Sequence, residues 1–373
     1  MAEGKVREFF PGGNTSLGFF SYYDYIIPPD ATRILIIKGG PGVGKSSFMK
    51  ALATEMQERG FDIELHHCSS DNNSLDGVVF PQIGVALIDG TSPHVVDPRH
   101  PGAVDEIIHL GDYWDEKGIR CGKEMIIELN RDIGRNFRRA YRYLKTAKEI
   151  YDDLETINSE GLAIGKANQI AAELIEELFS DYRVANEPGV IRKLFASAIT
   201  PEGFQNFLPC LLAPLRVFAV NGGVGTGKST LLNKVLTVAL EKGFDCEGYY
   251  CAFDPLKLEH LTIPRIGVAF TTSVEPHCYP IGKVSRTIDM DQCVAPYVMT
   301  KYGAVIASES KIIGELFEAA IKFIAKAKSL HDQLEEYYIP NMNFAGIAQL
   351  RKAILERILK YAEEEEVNFN RAV

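Results

Sequence analysis

The segment KGGPGVGKSSF, Lys38 to Phe48, has a second form in NGGVGTGKSTL, Asn221 to Leu231. Both fit G-x-x-x-x-G-K-[ST], the pattern of a phosphate-cradling loop. Glycines let backbone N–H groups wrap an anion without Cβ clashes, and a following helix adds the partial positive charge of its N-terminus. The first loop offers Gly39, Gly40, Pro41, Gly42, Val43, Gly44, Lys45, Ser46 and Ser47. The second offers Gly222, Gly223, Val224, Gly225, Thr226, Gly227, Lys228, Ser229 and Thr230. Lys45 and Lys228 are expected to reach the β- and γ-phosphates, and Ser46 and Ser229 to offer a hydroxyl to Mg²⁺.

The two lysines stand 183 residues apart, and the flanking text repeats at that offset. Gly60-Phe61-Asp62 returns as Gly243-Phe244-Asp245, Cys68 as Cys251, Asp71 as Asp254, and Pro93-His94 as Pro276-His277. Further on the offset becomes 180, so that Ala147-Lys148 and Asp152 meet Ala327-Lys328 and Asp332. A period this long marks a duplicated domain, not a solenoid. The polar turn Asn186-Glu187-Pro188-Gly189 sets the expected boundary, giving domains 1–188 and 189–373.

Each copy reads alike. A β-branched strand (Arg33–Lys38; Arg216–Val220) leads into the loop, a helix follows, and Gly60 or Gly243 ends it. Further strands are expected over Asp62–Cys68 and Ile83–Ile88, and over Asp245–Cys251 and Ile266–Phe270. The alternation predicts an α/β fold with two tandem P-loop NTPase domains, each a parallel sheet with flanking helices. Apolar residues three and four apart predict a helical hairpin appended to each copy. Its helices cover Glu124–Ile157 and Asn168–Phe179, then Lys311–Glu336 and Ala348–Glu363.

The copies differ in their acids. VALIDGTSPH brings four apolar residues into Asp89, the form of a Walker B strand whose carboxylate holds Mg²⁺. The second copy reads VAFTTSVEPH, with Thr272 in that place and Glu275 three residues on as a possible substitute. Site one is therefore expected to be catalytic and site two depleted or regulatory. Gly90, not Glu, follows Asp89, and no LSGGQ-type signature is present, which argues against fast motor or transporter ATPases. Asp71 and Asp254 follow the second strand of each copy, where α/β sheets bind ligands, and either bind an acceptor or cap a turn. His94 and His277 contact phosphate or hold a loop. HHC at His66–Cys68 and His277-Cys278 lack four-ligand zinc spacing.

No [NT]-K-x-D base-reading motif accompanies the loops, so ATP is expected over GTP. Phe10, Phe19, Phe195 and Phe204 either stack on adenine or belong to the core, the core reading being preferred. Arg131, Arg135, Arg138, Arg142 and Lys145 line one helix face, read as solvated or paired with some of the 50 acids. The net charge of −10 argues against nucleic acid or a membrane surface as partner. Seven cysteines without a C-x-x-C pair, no apolar leader and no apolar run approaching 18 residues suggest a cytoplasmic protein with reduced thiols.

The motifs GGPGVGKSS, HHCSSDNNSLDGVVFPQIGVALIDGTSPHVVDP and ITPEGF before GGVGTGKST resemble a bacterial family of tandem P-loop proteins usually labelled ATPase or nucleotide-kinase-like. The resemblance spans essentially the whole chain and implies the P-loop fold twice over and nucleotide binding. The leading expectation is a Mg²⁺-dependent ATPase. Its rivals are a kinase acting on a small molecule or nucleotide, and a nucleotide-dependent switch that binds a protein partner.

Overall fold

The computed structural model describes residues 3–273 and 281–372. The first repeat contains β1 (Val6–Phe9), a hairpin of β2 (Gly12–Thr15) and β3 (Gly18–Ser21), β4 (Arg33–Lys38), α1 (Lys45–Glu58), β5 (Ile63–Cys68), β6 (Asp71–Phe80), β7 (Val85–Asp89) and β8 (Asp105–His109). The helices α2 (Glu116–Cys121), α3 (Lys123–Glu160) and α4 (Ile164–Phe179) complete it. The second repeat follows the same plan. It has β9 (Ile191–Leu194), the hairpin β10 (Ser197–Thr200) and β11 (Gly203–Asn206), α5 (Leu208–Leu212), β12 (Arg216–Asn221) and α6 (Lys228–Glu241). Then come β13 (Cys246–Tyr250), β14 (Leu258–Ile263), β15 (Val268–Thr271), β16 (Val284–Asp289), α7 (Tyr297–Glu335) and α8 (Phe344–Ala372).

Each repeat builds a six-stranded sheet, in the order β1-β5-β6-β7-β4-β8 and, equivalently, β9-β13-β14-β15-β12-β16. The α/β class is as expected, but the sheets are mixed and not parallel. β6 runs against both β5 and β7, and β14 against both β13 and β15. Only Ser69 and Ser70 separate β5 from β6, a connection too short for the crossover that parallel neighbours need. The strand carrying this reversal begins in polar residues, Asp71-Asn72-Asn73-Ser74, which hid it from a search for apolar runs.

The long helices do not stay with their own repeat. One compact unit consists of residues 1–12, 21–137 and 324–373, the other of residues 13–20 and 138–323. Repeats 1–188 and 189–373 are thus units of sequence, and the compact units are assembled from both. In the unit built on the first sheet, α8 lays Ile347, Ile354 and Ile358 against Phe48, Leu52 and Met56 of α1 and the sheet residues Leu35, Val78 and Leu87. In the unit built on the second sheet, α4 lays Ala171, Leu174 and Leu178 against Leu232 and Val235 of α6 and Phe218, Leu261 and Phe270. The apolar spacing of four and seven places these residues on one helix face. Each large aliphatic side chain so buried contributes about 1.5–3 kcal/mol.

Among the described residues no helix is long and apolar enough to cross a membrane. Phe10 and Phe195 are fully buried core residues, not an open adenine platform. The basic residues Arg131, Arg135, Arg138, Arg142 and Lys145 are solvent-exposed, with Arg135 paired to Asp132 at 2.9 Å.

Candidate functional site

The two glycine loops join the carboxyl ends of β4 and β12 to the N-termini of α1 and α6. Gly44 (φ +91°) and Gly227 (φ +92°) stand immediately before each helix in the left-handed region, where a Cβ would strain the turn. The first N–H groups of a helix have no partner inside it, so each loop presents donors at its mouth. Val43 turns inward and is fully buried in the first loop, and Thr226 does so in the second, donating from Oγ1 to the Gly223 carbonyl at 3.0 Å.

In the first loop Lys45 Nζ donates to the carbonyls of Gly39 (3.3 Å) and Gly40 (2.9 Å) and lies 3.7 Å from Asp89 Oδ2. Asp89 ends β7, and its other oxygen accepts from Thr91 N at 2.9 Å and Thr91 Oγ1 at 2.6 Å. Ser46 Oγ accepts from Leu75 N at 3.0 Å, tying the loop to β6. The structure therefore brings Lys45 and Asp89 together at the first loop, with Ser46 in the first turn of α1 beside Lys45. It also places the C-terminal turn of α7 on this loop. A Cβ at Gly42 would meet Ile339 at 3.0 Å and Glu335 at 3.1 Å.

Asp71, at the start of β6, accepts from Asn73 N at 3.1 Å and Ser74 Oγ at 2.9 Å. Its Oδ2 lies 3.3 Å from Lys328 Nζ, which also pairs with Asp332. Burial works to lower the Lys328 ammonium, but Asp332 and Asp71 outweigh it and hold its pKa above the ordinary lysine value. The turn-capping reading of Asp71 is seen directly.

His94 sits in the loop after β7, its Nε2 3.6 Å from Asp76 Oδ1 and its ring stacked on Tyr23 at 4.8 Å and 15°. Burial would lower the imidazole pKa, yet the Asp76 and Asp89 charges hold it above the usual value against the opposing charge of Lys45. Asp76 is itself buried, which works to raise its pKa. The His94 charge overcomes this and keeps the carboxyl below its ordinary value. The sequence reading missed Asp76 because it lies inside a strand and not at its end. The signal was present, since Glu259 repeats the acid 183 residues later.

The second loop has the same shape and different surroundings. Lys228 Nζ donates to the carbonyls of Gly222 at 2.6 Å and Gly223 at 2.5 Å. Burial pushes its ammonium below the ordinary lysine value despite Asp291, Glu259 and Glu155. Asp291 Oδ1 accepts the Gly223 N–H at 2.7 Å, so this loop donor already has a partner. The equivalent position in the first repeat is Gly111. Asn158, at the end of α3, donates to the Val224 carbonyl at 2.7 Å, and a Cβ at Gly225 would lie 2.7 Å from the Glu155 carbonyl. Thr272 is buried beyond β15 where the first copy has Asp89. Asp254 lies 3.3 Å from Lys148 and 3.6 Å from Lys257, and Lys257 also pairs with Glu155. Glu275, His277 and Cys278 lie outside the described residues.

Lys328 and Lys148 correspond at the 180-residue offset, and their spacing alone assigns them no role. Each contacts the acid after the β5 or β13 strand of the opposite repeat. Comparison with protein-family models, with curated proteins and with solved structures found no match to this chain.

Proposed function

We propose that the chain binds Mg-ATP at the first loop and hydrolyses it slowly there, the second loop being depleted and regulatory. The observation that carries this reading is the contrast in acids. Asp89 stands 3.7 Å from Lys45 beside the first loop, whereas the second has Thr272 at that place and Asp291 on its own N–H donor. The donor set suits a hard cation at the first loop. Ser46 Oγ has lone-pair capacity beyond the bond it accepts from Leu75, and Asp89 keeps Oδ2 outside its contacts with Thr91. Ser46 and Asp89 would hold Mg²⁺, which when bound supplies neutralisation of phosphate charge.

Lys45 would leave the Gly39 and Gly40 carbonyls for phosphate oxygens, carrying its charge to where negative charge develops. Thr91 fixes the orientation of Asp89 throughout. The position after Asp89 is Gly90, which offers no carboxylate to activate water, so turnover is expected to be slow. A carboxylate on Gly223 N opposes phosphate at the second loop by charge as well as by occupancy.

The test is Mg-ATP binding stoichiometry and steady-state hydrolysis for wild type, Lys45→Ala and Lys228→Ala. Loss of turnover in Lys45→Ala with residual turnover in Lys228→Ala supports the reading. Equal loss in both variants rejects the asymmetry. Turnover that appears only with an added acceptor favours the kinase.

A further inference from the structure

We propose that Cys68, Asp76 and His94 form a binding site for a divalent transition-metal ion of the zinc class, with a ligand set distinct from the residues of the first glycine loop. Cys68 ends β5, Asp76 lies in β6, and His94 follows β7, so three neighbouring segments each supply one ligand atom. The thiol sulfur, carboxylate oxygen and imidazole nitrogen all lie within 4.8 Å of one another. The His94 Nε2 to Asp76 Oδ1 separation of 3.6 Å is longer than a good hydrogen bond, about 2.7–3.2 Å. It is close to the roughly 3.3–3.6 Å between two ligands of one tetrahedral zinc with bonds of about 2.0–2.2 Å.

Two further observations point to an ion. Asp76 is 4 % exposed, and its Oδ2 meets no donor in good hydrogen-bond geometry, although the Tyr23 hydroxyl and Cys68 thiol are near enough to act on the carboxylate. A buried carboxylate with an unused oxygen is costly unless something positive completes it. The same three ligand types also recur in register, as Cys251, Glu259 and His277, each 183 residues on. A thiol and an imidazole favour zinc over magnesium, which takes oxygen ligands. Binding would displace the Cys68 thiol proton, and the Nε2 proton of a charged His94 imidazole, to solvent.

Three protein ligands leave a fourth position open, as in catalytic and not structural zinc centres. A cleft of about 210 Å³ lined by Tyr23, Asp24, Val96 and Arg99 reaches one of the three ligands, His94. Tyr23, stacked on His94, fixes the plane of the imidazole.

The full chain, stripped with chelator, is titrated with Co²⁺. A thiolate-to-cobalt charge-transfer band is expected, displaced by Zn²⁺. In a Cys251→Ser background, which removes the thiol in register with Cys68, Cys68→Ser abolishes the band and His94→Ala weakens binding roughly 10-fold or more. No band in the Cys251→Ser protein, or a band that survives Cys68→Ser, overturns the proposal. Zinc X-ray absorption on the wild-type chain needs no variant to fold. One sulfur per zinc supports the site. A shell of oxygen and nitrogen alone overturns it and points to the partly exposed His331–Asp332–Glu335 group, which has no thiol.

Discussion

The first and second glycine loops share their strand, their helix, their left-handed glycines and a lysine folded back on loop carbonyls. They differ in what faces that lysine. Lys45 meets a strand-end carboxylate, Asp89, while Lys228 is pushed below its ordinary pKa by burial and looks toward an acid already bonded to the loop. Duplication preserved the backbone of the site, and a few substitutions around it changed its electrostatics. The lesson is that a loop motif specifies a backbone shape, while the charges that the rest of the fold brings around it set its electrostatics.

The comparison extends to the helices that stabilise each loop, and here the largest effect is expected. Ile358→Ala, in the second repeat, removes a fully buried side chain from the core around α1 and should cost about 2–5 kcal/mol. Hydrogen exchange should lose protection in α1 and keep it in α6. Leu174→Ala, in the first repeat, should do the reverse and expose α6. If each substitution instead loosened the loop helix of its own repeat, the exchanged assembly would be refuted.

Next in size is the acid itself. Asp89→Thr copies the second loop's residue into the first and should lower ATP turnover on the order of 10²-fold, an effect of about 3 kcal/mol on the barrier. Thr272→Asp supplies the missing acid to the second loop and should add Mg²⁺-dependent nucleotide affinity there, read by binding in a Lys45→Ala background. An inert Asp89→Thr substitution would remove the basis of the asymmetry.

A smaller effect, on the order of 10-fold, is expected from Asp291→Ala, because it frees the Gly223 N–H and removes a negative charge. Nucleotide affinity at the second loop should rise, and tighter binding by calorimetry in the Lys45→Ala background is the outcome to look for. Unchanged affinity would mean that the carboxylate moves aside at no cost.

The smallest effect concerns the attachment of α8 to its sheet. Glu106 on β8 bonds Arg357 of α8 at 2.9 Å and Arg33 of β4 at 2.7 Å. These contacts, that with Arg357 foremost, hold the Glu106 carboxyl below its ordinary value. Its stabilisation is therefore fully present above the unfolded pKa of about 4.3 and lost as pH falls through the lower folded value. Glu106→Gln should cost about 1 kcal/mol or less after solvent screening near neutral pH, and nothing in strong acid. Thermal unfolding of both proteins across that range checks it. A cost that persists in strong acid would locate it in packing.

Local pattern was enough for much of this. The loops, the strands feeding them and the helices leaving them were legible, because glycine placement and apolar runs act over a few residues. Asp89 was legible because four apolar residues announce it. β6 was not, since it starts in polar residues and is held by strands on both sides. Asp76 was obscured for a related reason, as nothing local distinguishes a buried acid within a strand from a solvated one. Lys328 against Asp71 and Asp291 on Gly223 join residues far apart in the chain, and no periodicity encodes such a meeting.

By itself, then, the sequence determined that the chain is a duplication, that each copy carries a glycine loop between strand and helix, and that Thr272 breaks the match with Asp89. Only the tertiary structure decided which helix covers which sheet, that the sheets are mixed, and that a thiol, a carboxylate and an imidazole converge. The physical reason is that an apolar helix face carries no record of the sheet that will bury it. Its periodicity states that it must be covered, and connection and packing in three dimensions determine by what.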